Sequence, residues 1–291
     1  MEKYTIVTDS CCDMPYSYIK ENNIPFVSLT MRFNDKEYKD DFKISMDADT
    51  FYNYLKDGVM PATSQANVND FYNMFSTALK GSEKVLYIGV SSGLSGTVNS
   101  ATLAKKMIEE NGENKIYIVD TLTASLGQGL LLIKALNMQK EGKSIEEVYE
   151  YLLNERFKLN TYITVDDLKH LKNGGRISGA AAAIGIVLHI KPVMTLNDEG
   201  RILPCLKIKG RKKVMSKLKE IVADRIKDKE IIAICHAQCL DEAEKLKSKL
   251  IEELGIKEVL INEIGPVVGT HGGPGAMGIF FIGKERQNHV I

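Results

Sequence analysis

The stretch Gly89-Val90-Ser91-Ser92-Gly93-Leu94-Ser95-Gly96-Thr97 constrains this chain more than any other. An apolar run, Val85 to Ile88, leads into it, and a helical pattern from Val98 to Glu110 follows. A strand that turns directly into a helix is the unit from which parallel α/β sheets are built. The turn is also chemically specific. The first N–H groups of a helix lack intrahelical partners and carry the positive end of the helix dipole. Glycines let the backbone approach a ligand closely, while the hydroxyl side chains add donors. One serine satisfies a helix N-cap. Three serines, a threonine and two glycines within seven residues suit an anionic oxygen better.

The same alternation runs over residues 1–155. Strands are expected at Tyr4–Thr8, Phe26–Met31 and Lys115–Asp120, and helices near Asp13–Pro15, with Asp13 as cap, and at 47–56, 68–79, 126–140 and 145–154. Ser144 with Glu147 three residues on is a capping box for the last of these. A charged, hairpin-like piece spans 34–41, and Met60–Gln65 reads as an extended, proline-led loop. The turns at Asp9-Ser10, Ser91–Thr97 and Thr121–Ser125 all fall at strand ends, where parallel sheets bind ligands.

Beyond residue 160 the pattern changes. A strand at 161–165 precedes a short helix ended by Gly174-Gly175, a small-residue helix from Ser178 to Ile190, and a hairpin of 194–196 with 202–206. Helices at 214–227 and 241–254 flank a strand at 231–235. A strand at 258–264, a glycine-rich loop from Gly265 to Gly275 and a last strand at 278–282 complete the chain. The expectation is an α/β protein of two lobes. Residues 1–160 form a parallel sheet with helices on both faces, and residues 161–291 form a mixed α/β lobe.

Zero formal net charge argues against a nucleic-acid-binding protein and against general attraction to anionic membranes. No segment approaches the apolar length of a membrane span, and the chain enters its first strand without a signal sequence, so a cytoplasmic protein is expected. Five cysteines, an odd number, do not suggest a disulfide framework. Cys235-His236-Ala237-Gln238-Cys239 lacks a matching second ligand pair, so no metal site is expected. Basic residues gather around the hairpin: Lys191, Arg201, Lys207, Lys209, Arg211, Lys212 and Lys213. They read as a solvated face, or as a docking patch for an acidic partner or a membrane surface.

Among five histidines, His271 stands out because a glycine-rich loop presents it. His170 and His189 lie on helical patterns and read as structural, and His289 falls in a terminal stretch expected to fray. Ser95, His271 and Asp9 or Asp120 contain the residue types of a nucleophilic triad, but no nucleophile elbow accompanies them. A phosphate-binding P-loop and a dinucleotide fingerprint are also missing.

Taken together, the motifs resemble those of the DegV family of fatty-acid-binding proteins. The matching pieces are Thr8-Asp9-Ser10, Pro61-Ala62-Thr63-Ser64-Gln65, Ser91 to Thr97, Asp167-Leu168 through Gly174-Gly175-Arg176-Ile177-Ser178, Lys191-Pro192, and Gly269 to Gly278. They run in order over essentially the whole chain, about residues 3–283. The resemblance implies two lobes holding one long-chain fatty acid, such as palmitate, between them. It implies that Thr63 and Ser95 grip the carboxylate with His271 beside them, and that no cofactor is needed. It further implies a non-enzymatic carrier that presents the acid to a fatty acid kinase for lipid metabolism or transport, with Arg176 on the partner-facing surface. Two other readings stay open: a phosphotransferase or hydrolase using His271 and the Ser91–Thr97 turn, and a lipid sensor whose lobes close on ligand.

Overall fold

The computed structural model describes residues 3–110, 115–177 and 190–286. Four parallel strands form the first sheet: β1 (Tyr4–Asp9), β2 (Phe26–Val27), β6 (Lys84–Gly89) and β7 (Ile116–Asp120), in the order β2-β1-β6-β7. Side chains alternate across a strand, so each strand feeds two cores. Val7, Val85, Tyr87 and Ile116 pack under α3 (Val68–Gly81) and α4 (Thr97–Ile108). Ile6, Leu86, Ile88 and Val119 pack under α5 (Leu126–Lys140) and α6 (Ile145–Glu155). The expected capping box opens α6, with Glu147 N–H donating to Ser144 Oγ at 3.2 Å and Ser144 N–H to Glu147 Oε2 at 2.8 Å.

The second sheet is mixed and six-stranded. Its strands β8 (Leu159–Thr164), β9 (Ile190–Leu196), β10 (Ile202–Lys209), β11 (Ile231–His236), β12 (Glu258–Glu263) and β13 (Met277–Ile282) lie in the order β10-β9-β8-β13-β11-β12. Only β11 and β12 pair in parallel; the other pairs are antiparallel. Helices α8 (Arg211–Arg225) and α9 (Leu240–Leu254) cover one face through Val214, Leu218, Val222, Leu246 and Leu250. The other face turns inward, with Phe280, Ala233 and Cys235 in one core with α5. Helix α5 is buried on nearly every side because it lies between the two sheets. The α/β expectation with a parallel N-terminal sheet and a mixed second sheet holds.

Several elements differ from expectation. The run Phe26–Met31 is not one strand. After β2 the chain breaks away where Leu29 N–H donates to Ser10 Oγ at 3.0 Å and Asp40 N–H donates to Leu29 O at 2.8 Å. It then forms β3 (Thr30–Phe33), which joins β4 (Lys36–Lys39) and β5 (Ala62–Ser64) in a separate antiparallel sheet. Asn34 and Asp35, both at positive φ, make the two-residue turn between β3 and β4. Asp13 does not cap α1 (Tyr16–Glu21), whose N-cap Pro15 has no side-chain bond; its buried carboxylate points elsewhere. Gly265–Gly275 is not all loop, since Pro266–Gly272 forms a helix, α10. The helix expected from Ser178 to Ile190 lies outside the described residues, as do His189 and His289, except that Ile190 already belongs to β9.

The β9–β10 hairpin forms as expected, with Leu196 opposite Ile202. Its tip docks on the Ser91–Gly93 turn: Ser91 Oγ donates to Gly200 O at 3.0 Å. A Cβ at Gly93 would stand 2.4 Å from Glu199 O, so only glycine permits this approach. Of the basic residues around the hairpin, Lys191, Arg201 and Arg211 are ion-paired, to Asp166, Glu199 and Glu242. Among the described residues no helix is long and apolar enough to cross a membrane.

Candidate functional site

Between the sheets lies a cavity with about 910 Å³ of space outside the protein atoms, mouth included. The cavity is narrow, with little free width between its walls. Its wall is mainly aliphatic. Leu29 and Val90 come from the first lobe, Ile163, Leu196 and Phe280 from the second sheet, and Val267 and Val268 from α10. Most of its polar groups, Thr63, Ser64, Gln65, Ser95, Arg176 and His271, gather at one end. Ser64 and Gln65, both exposed, line the cavity there, so that end is the mouth.

Thr63, Ser95, His271 and Arg176 all line this cavity. Thr63 sits on β5, held by the register Met31 to Thr63. Ser95 closes the turn before α4, where its Oγ lies 2.8 Å from Thr97 Oγ1 and accepts from Thr97 N–H at 3.3 Å. Gly96, the N-cap of α4, provides no side-chain cap, so the hydroxyls and backbone of the turn take that role. His271 sits in the last turn of α10, with Nε2 2.8 Å from Thr63 Oγ1. Burial first, then the charge of Arg176 and of His170, pushes His271 down to about 4, so the ring is neutral near pH 7. Its buried Nδ1 has no partner among the described residues. An orphan lone pair costs less than an orphan N–H, so we place the proton on Nε2. His271 then donates to Thr63 Oγ1, which leaves the Thr63 O–H free to turn into the cavity.

Arg176, expected on a partner-facing surface, is half-buried and lines the cavity. Its Nε donates to Leu94 O at 3.1 Å and its Nη1 donates to Gly174 O. This brings a fixed cation to the end of the cavity that carries the hydroxyls. A Cβ at Gly174 would stand 2.0 Å from His271 Nδ1, so the glycine admits the imidazole.

The acidic residues of the turns build the frame. The buried Asp9 carboxylate accepts from Tyr87 Oη at 2.6 Å, Val90 N–H at 2.9 Å and Cys11 N–H at 3.0 Å. Asp120 Oδ1 accepts from Ser92 N–H and Leu122 N–H, each at 3.1 Å. A Ser–His–Asp relay is therefore not assembled: Ser95 bonds Thr97, His271 bonds Thr63, and both aspartates are engaged in the turns. Among the described residues no group of three or more His, Cys, Asp and Glu could hold a metal ion. Two further hydroxyls, Ser125 and Thr161, line the cavity away from the mouth. Ser125 belongs to the Thr121–Ser125 turn that the sequence places at a ligand-binding strand end, whereas Thr161 reads as an ordinary strand residue.

A family model described as "Uncharacterised protein, DegV family" matches residues 3–284. The chain is 41% identical over 290 residues to a DegV domain-containing protein of Clostridium perfringens, covering 99% of this chain and all of the relative. A structure described as fatty acid binding of a DegV family protein from Thermus thermophilus superposes with a TM-score of 0.87 at 32% identity, covering 97% and 99% of the two chains. DegV from Bacillus subtilis, described as a fatty acid binding protein, superposes with a TM-score of 0.85 at 30% identity, covering 98% and 100%. A DegV family protein of Ruminococcus gnavus, described with vaccenic acid, gives a TM-score of 0.85 at 25% identity, covering 95% and 99%.

Proposed function

The chain belongs to the DegV family, and from that premise we propose that it binds one long-chain fatty acid, palmitate or a similar acid, in the cavity between its sheets. The observation that carries this reading is a narrow aliphatic cavity whose one polar end holds Thr63, Ser95, His271 and Arg176. The two hydroxyls donate to the carboxylate. Neutral His271 orients Thr63, and Arg176 supplies the counter-charge. Burying the chain contributes roughly 0.8 kcal/mol per methylene, and each hydrogen bond to the carboxylate about 1.5–3 kcal/mol. The tail thus supplies most of the affinity and the hydroxyls its orientation.

The carboxylate lies at the mouth beside the exposed Ser64 and Gln65, within reach of a second protein. This supports a carrier that presents the acid to a fatty acid kinase in the cytoplasm, for lipid metabolism or transport, and performs no catalysis alone. The test is mass spectrometry of the purified protein, native and after organic extraction, followed by titration of the stripped protein. One long-chain acid per chain is expected, and Thr63→Val and Ser95→Ala should each weaken its binding about tenfold or more without unfolding the protein. An empty protein that binds no added fatty acid, or unchanged affinity in both variants, would overturn the reading. Turnover of acyl phosphates or esters, lost in His271→Ala, would favour an enzyme instead.

A further inference from the structure

The wall of the cavity is not uniformly apolar, and its deeper polar groups are held at a cost. Ser125, 4% exposed, lines the cavity with φ 56° and ψ −147°, a backbone conformation that glycine adopts far more readily than serine. Its Oγ donates to Asp13 Oδ2 at 2.5 Å, and Asp13 Oδ1 in turn accepts from Gly265 N–H at 2.9 Å. Gly265 begins α10 and His271 lies in its last turn, so these groups stand roughly 9 Å apart along the helix axis. Thr161, 2% exposed, also lines the cavity. Its Oγ1 lies 3.2 Å from Thr123 Oγ1, which donates onward to Ala124 O at 3.4 Å.

The direction of these bonds matters. With Asp13 ionised, the Ser125 hydroxyl hydrogen is committed to the carboxylate. With Thr123 donating to Ala124 O, the Thr161 hydrogen is committed to Thr123. Both residues line the cavity and keep lone pairs with no hydrogen to donate into it, the Cys235 thiol sharing those of Ser125. A plain polymethylene chain gives them nothing, whereas an O–H on the chain would find an acceptor where an apolar tunnel would leave it unpaired.

We infer that Ser125, backed by Asp13 and with Thr161 nearby, is a polar station for a hydrogen-bond donor on the acyl chain, so that the ligand class extends to mid-chain hydroxy fatty acids. This rests on the fatty-acid reading and adds a specificity to it. A keto group, which only accepts, gains nothing from the station. The distance between the two ends of α10 makes the fit depend on where along the chain the hydroxyl lies.

The test uses the full chain stripped of lipid, at about pH 8, where Asp13, pushed up to about 6 by its burial, is ionised. Stearate, a series of positional isomers of mid-chain hydroxystearate, and the matching ketostearates are titrated in turn. One hydroxy isomer should bind at least as tightly as stearate, while its neighbours and the ketones bind about tenfold more weakly. Ser125→Gly, which suits the positive φ, and the near-isosteric Thr161→Val should each reduce that isomer's preference relative to stearate several-fold. Thr63→Val should weaken both acids together. Isomers uniformly weaker than stearate, or a preference that survives both Ser125→Gly and Thr161→Val, would overturn the inference and leave the fatty-acid reading standing. Failure of stearate itself to bind would remove both.

Discussion

His271 shows how one residue's environment sets its chemistry. Burial and the neighbouring Arg176 favour the neutral ring, so the folded protein holds a proton there less readily than the unfolded chain does. Its contribution to stability is therefore complete above about pH 6.5, the ordinary value, and is lost as pH falls toward 4. His271→Gln, which keeps a polar partner for Thr63, should flatten that loss. Urea unfolding midpoints of the two proteins should converge as pH falls from neutrality, and a constant gap between them would refute the assignment. Ser95 stands out in the sequence through its hydroxyl-rich turn and His271 through the glycines around it, whereas Thr63 is singled out only by the resemblance to the DegV family; the fold brings all three to one cavity. Arg176 was legible as a motif residue, but the direction of its side chain was not. That direction depends on Leu94 O and Gly174 O, and Leu94 stands 82 residues away in the chain.

Helix α10 shows the same division at the scale of an element. Its own sequence has a proline at the first position and three glycines from Gly265 to Gly272, a weak helical signal. The missing cap comes from far away in the chain: Asp13 accepts from Gly265 N–H, and Asp40 Oδ2 from Val267 N–H at 3.2 Å. A carboxylate buried beside another is harder to ionise. Burial and then Asp13 push Asp40 well above the usual carboxylate range, and its Oδ1 has no partner among the described residues. The folded state thus binds this proton more tightly than the unfolded chain, so the contribution of Asp40 is complete below about pH 4 and is lost as pH rises through the folded pKa. Asp40→Asn, neutral throughout, should gain stability relative to wild type as pH rises from about 4 to 8. Guanidinium unfolding at several pH values measures this, and a gain independent of pH would count against a protonated Asp40. The capping box of α6 was readable because all its partners lie within four residues.

For the whole molecule, the cavity is the consequence of packing two sheets on either side of α5. The middle of α5 is tied across the lobes by the ion pair of Lys134 with Asp228. Arg286, following the last strand, adds a second tie, donating from Nη1 to Leu122 O at 2.8 Å and to Asn197 O at 3.3 Å. A ligand that fills the space between the sheets binds the folded state alone, so stripping it should lower stability. At ligand concentrations of about one hundred to one thousand times Kd the loss is roughly 3–4 kcal/mol. Calorimetry of the extracted and reloaded protein should show the transition fall and recover. Identical transitions in both states would argue that nothing occupies the cavity.

Sequence alone determined the features whose causes are local. These are the strand–helix alternation, the hydroxyl-rich turn before α4, the α6 cap, the β9–β10 hairpin and the ending of α7 (Lys169–Asn173) at Gly174-Gly175. Each follows from periodicity or turn chemistry within a few residues. Tertiary structure decided what depends on partners remote in sequence. It broke the run 26–31 between two sheets, recruited Thr63 into a strand, made α10 a helix by capping it from 225 or more residues away, and turned Arg176 toward the cavity. The narrowness of the cavity and the placing of Ser125 and Thr161 on its wall belong to the same class. A space between packed surfaces depends on both surfaces at once, and a linear sequence does not state which residues will face each other across it.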